Sequence, residues 1–485
     1  IEVPPAYGPI FTVAPLAFYL GASVEAGERP RLVAGDAVRT FDGDALAAEV
    51  SDTLEHAFAL DSVVREAGVY AFRTEQAAAL DAAVDLDYEA LFELPLAERT
   101  AAYLDVPRSA TEGLLDWHYT ADVAADPANA VVLPSLADEL ALVRSPPGDA
   151  EERTLTPSPD ALQGGADGEL ARSTAGSSPT PLSVAVPEQR ETPGQAWITR
   201  SLAPGAANPT VGSFRRGFDW PSGTGPLDVH VVHNDSRLEA HEETAYDVHE
   251  LADTNVRFSE SLTTRELRDA LTEDVDFLHF VGHVTDAGML CRDGALDVRT
   301  LADTGVSAFF LNGCRSYEQG RALLTAGAVG GIVTVDDVAD ATAGTVGRTV
   351  SMLLDAGFPL YAVLDVLRES GPSAQRYAIL GSGTLAFRAA PTSMPVFSEF
   401  DSRDQEPATD DVALYCRYYP YGAFGMGSFV RPMHGDGRGF VGAAQARVEH
   451  VERDNFAGWL DRLSTPMRVD GDIRHPESLR PADFE

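Results

Sequence analysis

At 485 residues the chain is long enough for two or three domains with sizeable cores, and its 75 acidic residues against 36 basic ones give a formal net charge of -39. Every basic residue is Arg; the sequence contains no Lys. With no Arg-dense stripe to offset it, that imbalance excludes nucleic acid and anionic membrane surfaces as expected partners. No run of about 18 apolar residues predicts a membrane span.

Cys291, Cys314 and Cys416 are too few, and odd in number, for a disulfide framework, so a reducing, cytoplasmic setting is expected. The chain opens on Ile1 without a basic leader, which reads as a fragment or a processed product.

In chain order, residues 1–145 read as an ordered accessory domain of mixed α/β character. Phe11 to Leu20 is apolar and fits a strand or a short buried helix. Asp44 to Ala67 has helical spacing through Leu46, Val50, Leu54, Phe58 and Val63, and Tyr88 to Leu104 reads similarly. Ala130 to Leu133 is expected to be a short strand. Residues 146–225 are rich in Pro, Gly, Ser and Ala and read as a linker or mobile loop, disordered up to about 195. Order is expected to return around Trp197, Phe214, Phe218 and Trp220.

From 226 to 390 the pattern alternates. Strands are expected at Leu227–Val232, Val256–Phe258, Asp276–Val281, Ala308–Asn312, Ala328–Val335 and within Tyr377–Ala389. Helices are expected at Leu238–Leu251, after a Thr263/Glu266 capping box, at Tyr317–Ala326 before Gly327, at Asp340–Gly357 and at Leu360–Ser370. Such alternation implies a mainly parallel sheet with helices on both faces. Residues 391–485 are aromatic and Gly-rich, as in Cys416-Arg417-Tyr418-Tyr419-Pro420-Tyr421-Gly422 and Phe424-Gly425-Met426-Gly427, and read as a small, β-containing appendage.

Two apolar runs in the alternating region end in reactive side chains: Leu278-His279-Phe280-Val281-Gly282-His283 and Phe309-Phe310-Leu311-Asn312-Gly313-Cys314-Arg315-Ser316. Ligands in open α/β sheets sit beyond the carboxyl ends of parallel strands. His283 and Cys314 can therefore face one crevice, as a thiol nucleophile and its base require. A helix following Cys314 would aim its N-terminal dipole at the sulfur. The competing reading of Cys314 is a small buried hydrophobe; its strand-end position and polar neighbours argue against it. His279, four residues before His283 on the same strand face, lies about 13 Å back and reads as a core residue or a support for the site rather than the base. His230, His233, His241 and His249 have spacings that do not converge on a metal. Cys291, in a polar turn, and Cys416, in the tail, have no evident base.

Taken in order, Phe277 to His283, Ala308 to Ser316 and Gly327-Ala328-Val329-Gly330-Gly331-Ile332-Val333-Thr334 resemble the CHAT domain, a caspase-like cysteine peptidase family in the clan of caspases, gingipain and separase. The resemblance covers residues 225–390. It implies a caspase-like three-layer α/β/α sandwich, with His283 as general base and Cys314 as nucleophile. Backbone N–H groups of Cys314, Val284 and Gly282 would form the oxyanion hole. In Asp336-Asp337-Val338-Ala339-Asp340, it implies that Asp340 or Asp337 lines the S1 pocket and receives a basic P1 side chain; capping of the helix that begins near Asp340 is the alternative. No metal or organic cofactor is implied. The expected partners are a protein or peptide substrate and an activating protein. Two positions depart from the family pattern: Val284 follows the His where Gly is usual, and Val335 stands near the usual aromatic. A catalytically silent caspase-like scaffold is the alternative function. The acidic, Lys-free composition resembles that of proteins from salt-accumulating haloarchaea, where dense carboxylates repel little because molar salt screens them.

Overall fold

The computed structural model describes the chain except residues 70–72, 147–151, 156–181, 189–191, 218–219, 221–225, 235–253, 339, 372–375, 391–393, 406–410, 423–424, 432–437 and 485. The chain divides into two compact units: Ile1–Gly148, Arg190–Pro193 and Ala390–Glu485 form one, and Asp149–Gln189 with Gly194–Ala389 form the other.

The second unit carries the alternating pattern. Its strands are β1 (Leu227–His233), β2 (Thr254–Glu260), β3 (Val275–Val281), β4 (Val306–Asn312), β5 (Gly330–Thr334) and β6 (Tyr377–Gly381). They lie in the order β2-β1-β3-β4-β5-β6, and the short strands Ala207–Asn208 and Gly194–Ile198 continue the sheet beyond β6. Every pairing is parallel except that of β5 with β6. The result is a mixed α/β fold on a large, mainly parallel sheet.

Burial follows the sequence runs: Phe277 to Val281 and Ala308 to Asn312 are buried throughout, as expected of strands covered on both sides. The helices are α1 (Thr264–Thr272), α2 (Tyr317–Ala326), α3 (Asp340–Asp355) and α4 (Leu360–Glu369). The capping box forms: Thr263 accepts from the Glu266 N–H while the Glu266 carboxylate accepts from the Thr263 N–H. Helix α2 ends at Gly327 in a left-handed conformation, φ 137°. It lies so close to the sheet that a Cβ at Gly320 would fall 2.4 Å from Val333 Cγ1.

Several expectations are corrected. Ala130 to Leu133 is not a strand: Pro127–Val132 is a 3-10 turn running into the helix Leu133–Asp138. Asp126 caps the Ala128 N–H, and Pro127 and Pro134 favour first-turn positions over a strand ladder. Phe11 to Leu20 takes the helical alternative: Phe11 to Tyr19 lies in the helix Tyr7–Tyr19, and Leu20 caps its end. Cys291 does not lie in a turn. It ends the strand Gly288–Cys291 of a small antiparallel sheet completed by Val284–Thr285 and Gly294–Leu296. In the Pro/Gly/Ser-rich stretch, Glu152–Leu155 pairs antiparallel with Leu182–Ala185. Most of residues 146–195, the expected helix Leu238–Leu251, His241, His249, Phe218 and Phe424 lie outside the described residues.

In the first unit, the helices Tyr7–Tyr19 and Leu46–Val69 bury Val13, Leu16, Leu54, Phe58 and Val64 in one core, with Phe58 edge-on to Trp117 at 5.3 Å. The last hundred residues contribute a five-stranded sheet: Ala446–Glu452, Asp411–Tyr418, Val396–Phe400, Met467–Val469 and Asp472–Arg474, in that order. Bonds tie this part to the N-terminal part of the same unit. Arg447 Nη2 reaches Glu75 at 2.8 Å, and the Val441 N–H donates to Gln76 Oε1 at 2.9 Å.

Candidate active site

Strands β3 and β4 are neighbours, and their register pairs Val281 with Asn312. His283 and Cys314 each stand two residues beyond that pair, at the carboxyl end of the sheet. The two connecting turns touch backbone to backbone: a Cβ at Gly313 would fall 2.2 Å from the Gly282 oxygen. Glycine at 313 is therefore a requirement of the approach itself. Asn234, just past β1, braces the His283 turn. Its N–H donates to the Val281 oxygen at 2.8 Å, its Nδ2 to the Leu290 oxygen at 3.0 Å, and its Oδ1 accepts from the Leu262 N–H at 2.8 Å. The His283 carbonyl accepts from the Leu290 N–H at 2.8 Å. Val284 opens the short strand opposite Met289 and is buried.

The Cys314 turn is held by hydroxyls. Ser316 Oγ donates to the Leu311 oxygen at 2.7 Å and accepts from the Thr334 N–H at 3.0 Å. Thr334 Oγ1 accepts from the Ser316 N–H at 3.1 Å and donates to the Gly313 oxygen. Asn312, fully buried, donates to the Ala343 oxygen of α3 at 2.9 Å and accepts from the Tyr377 hydroxyl at 3.3 Å. These bonds tie the end of β4 to β5, β6 and α3.

Cys314 is 3% exposed. The Val338 N–H donates to Sγ at 3.4 Å, and Sγ lies 3.6 Å from the Val338 oxygen. Arg315 adopts a left-handed backbone, φ 52°, which costs a non-glycine residue about 1–2 kcal/mol. The side chain then reaches Asp337, Nη2 to Oδ2 at 2.6 Å, and its N–H points at the Asp336 oxygen at 3.4 Å. Arg376 donates to the Asp337 carbonyl.

Of the two acids expected to line a specificity pocket, Asp337 is thus beside the Cys314 turn with its carboxylate already engaged by Arg315. Asp340 opens α3, and its side chain lies outside the described residues. Arg315, Val338, Ser316, Thr334 and Asn234 carry the site's architecture and were not anticipated. A polar residue closing an apolar strand, as Thr334 does, is the one signal that pointed to such a role.

The remaining candidates have structural surroundings. His279 is fully buried and stacks on Phe310 at 4.7 Å. His230 bonds Ser259 and Arg257, and burial, helped by the Arg257 charge, pushes its pKa down to about 4. Burial, with the nearby Asp293 charge, pushes the Cys291 thiol up to about 11; burial and Glu449 push Cys416 up to about 12. Among the described residues no three metal-ligating side chains converge.

No protein-family model matches the sequence, and no curated protein matches it. Among solved structures, neighbours are caspase-like cysteine proteases at low overlap. The Arg-specific cysteine proteinase gingipain R is similar at 10% identity and a TM-score of 0.31, over 53% of this chain and 74% of that one. The complex of Porphyromonas gingivalis RgpB pro- and mature domains gives 10% and 0.34 over 91% and 96%. The Saccharomyces cerevisiae separase–securin complex gives 11% and 0.31 over 42% of this chain and 16% of that one.

Proposed function

We propose that the chain is a cysteine endopeptidase of the CHAT, caspase-like type. The pairing of Val281 with Asn312 carries this reading, because it sets the His283 and Cys314 turns side by side at the ligand-binding end of a parallel sheet. In the proposed reaction His283 takes the Cys314 proton, and the sulfur adds to the scissile carbonyl. Backbone N–H groups of Cys314, Val284 and Gly282 receive the oxyanion. His283 then protonates the leaving amine, a thioester remains, and water attacks it with His283 as base to release the acid and restore the thiol. No cofactor enters. The substrate is a protein or peptide, with Asp337 or Asp340 as the acid for a basic P1 side chain. An activating protein partner would switch the enzyme on.

A second reading, a catalytically silent scaffold, draws on the 3% exposure of Cys314. The two separate by the pH profile of alkylation of each thiol, read by mass spectrometry in multimolar KCl. The peptidase predicts a Cys314 midpoint below about 8.5 that rises in His283→Ala. Cys291 and Cys416 should react only as pH approaches about 11 and about 12. A Cys314 midpoint indifferent to His283 would count against the peptidase and for the scaffold.

A further inference from the structure

The contacts around Cys314 do more than position it. Attack on a carbonyl needs the carbon within about 3–3.5 Å of sulfur. Here the backbone of Val338, itself 2% exposed, stands 3.4–3.6 Å from Sγ. Val338 belongs to the connection from β5 to α3, which is pinned three times. Asp337 is ion-paired to Arg315, its carbonyl accepts from Arg376, and the Asp336 oxygen faces the Arg315 N–H. In the Arg315–Asp337 pair the carboxylate end is 9% exposed, so solvent screens it less than a surface pair. The guanidinium end is 34% exposed, so the pair can be reached from outside. Arg315 holds its left-handed backbone only while these bonds oppose the strain. Opening the pair therefore relaxes the residue next to the thiol.

We propose that Arg315 and Asp337 form a latch that holds the Val338 backbone over the Cys314 thiol, so that the chain rests in a closed state and is opened by breaking this ion pair. This rests on the peptidase reading and adds the regulation of that site. A ligand able to open the latch must compete for the carboxylate of Asp337 or for the guanidinium of Arg315.

The test uses the full chain and iodoacetamide, comparing the plateau alkylation rate of Cys314 above its midpoint in wild type, Asp337→Asn and Arg376→Gln. The latch predicts a rise of tenfold or more in Asp337→Asn and a smaller rise in Arg376→Gln, with Cys416 unchanged. Plateau rates within twofold of wild type in both variants overturn it. A rise shared by Cys416 reports unfolding, and the exchange Arg315→Asp with Asp337→Arg then decides: slow labelling restored supports the latch, and fast labelling retained rejects it. The peptidase reading fails by a different readout, a midpoint that ignores His283→Ala, measured in Asp337→Asn as well as wild type.

Discussion

Single hydroxyls hold the nucleophile's turn, and their loss has a calculable cost. Thr334→Val keeps the volume of the side chain but removes a donor to Gly313 and an acceptor for Ser316, both in a fully buried setting. Two backbone groups left unsatisfied cost about 1–3 kcal/mol each, so the variant should lose about 2–6 kcal/mol in urea unfolding. A loss below about 1 kcal/mol would mean the turn is held by its other bonds. At this scale the sequence named His283 and Cys314 because each closes an apolar run, a local pattern. It also set His279 apart from the base, since strand geometry alone places it back from the sheet end; that it is core rather than a support for the site came from its packing on Phe310. Arg315 pairing with Asp337 was not legible, because that contact spans two turns whose paths depend on the packing of β4 against β5. The same gap affects Asp337 as a pocket acid: its type and position could be read, its partner could not.

Elements were legible where their signals were local and redundant. The Thr263/Glu266 box and the Gly327 stop each satisfy orphan backbone groups within a few residues, so the sequence and the structure agree there. Pro127 beside Ala130 to Leu133 outweighed an apolar run too short to tell strand from helix, and the strands Gly288–Cys291 and Gly294–Leu296 were too brief to show alternation. Two helical glycines turn this difference between local propensity and packing into a prediction. In α2, Gly320→Ala would push a methyl to 2.4 Å from Val333 Cγ1 and 3.1 Å from Phe309 Cε2. The overpacking should cost about 1–3 kcal/mol, exceeding the gain in helix propensity of up to about 1 kcal/mol. In the helix Arg453–Leu460, Gly458→Ala meets only Arg462 Nη1 at 3.8 Å, so propensity should win and stabilise by about 0.5–1 kcal/mol. Thermal melts of both variants check the signs; a stabilising Gly320→Ala would show that α2 can lift from the sheet at little cost.

Charge acts on the molecule as a whole. Even if all 36 Arg were matched to acids, 39 of the 75 carboxylates would remain without a cationic partner. Pairs such as Arg321–Glu318 are largely exposed and worth at most about 1 kcal/mol each. They cannot offset a repulsion that runs over the entire surface. Screening can: the Debye length falls from about 8 Å at 0.15 M to about 3 Å at 1 M. Buried pairs such as Arg144–Asp122, under 8% exposed on both sides, are screened much less and keep their attraction. Added salt therefore weakens the repulsion more than the pairing, and stability should rise with KCl. We expect the melting temperature to climb by several degrees between 0.15 M and 2 M KCl, and NaCl to act similarly because the effect is one of screening. A melting temperature that is flat or falls over this range would mean the surface carboxylates are spaced widely enough for water alone to screen them.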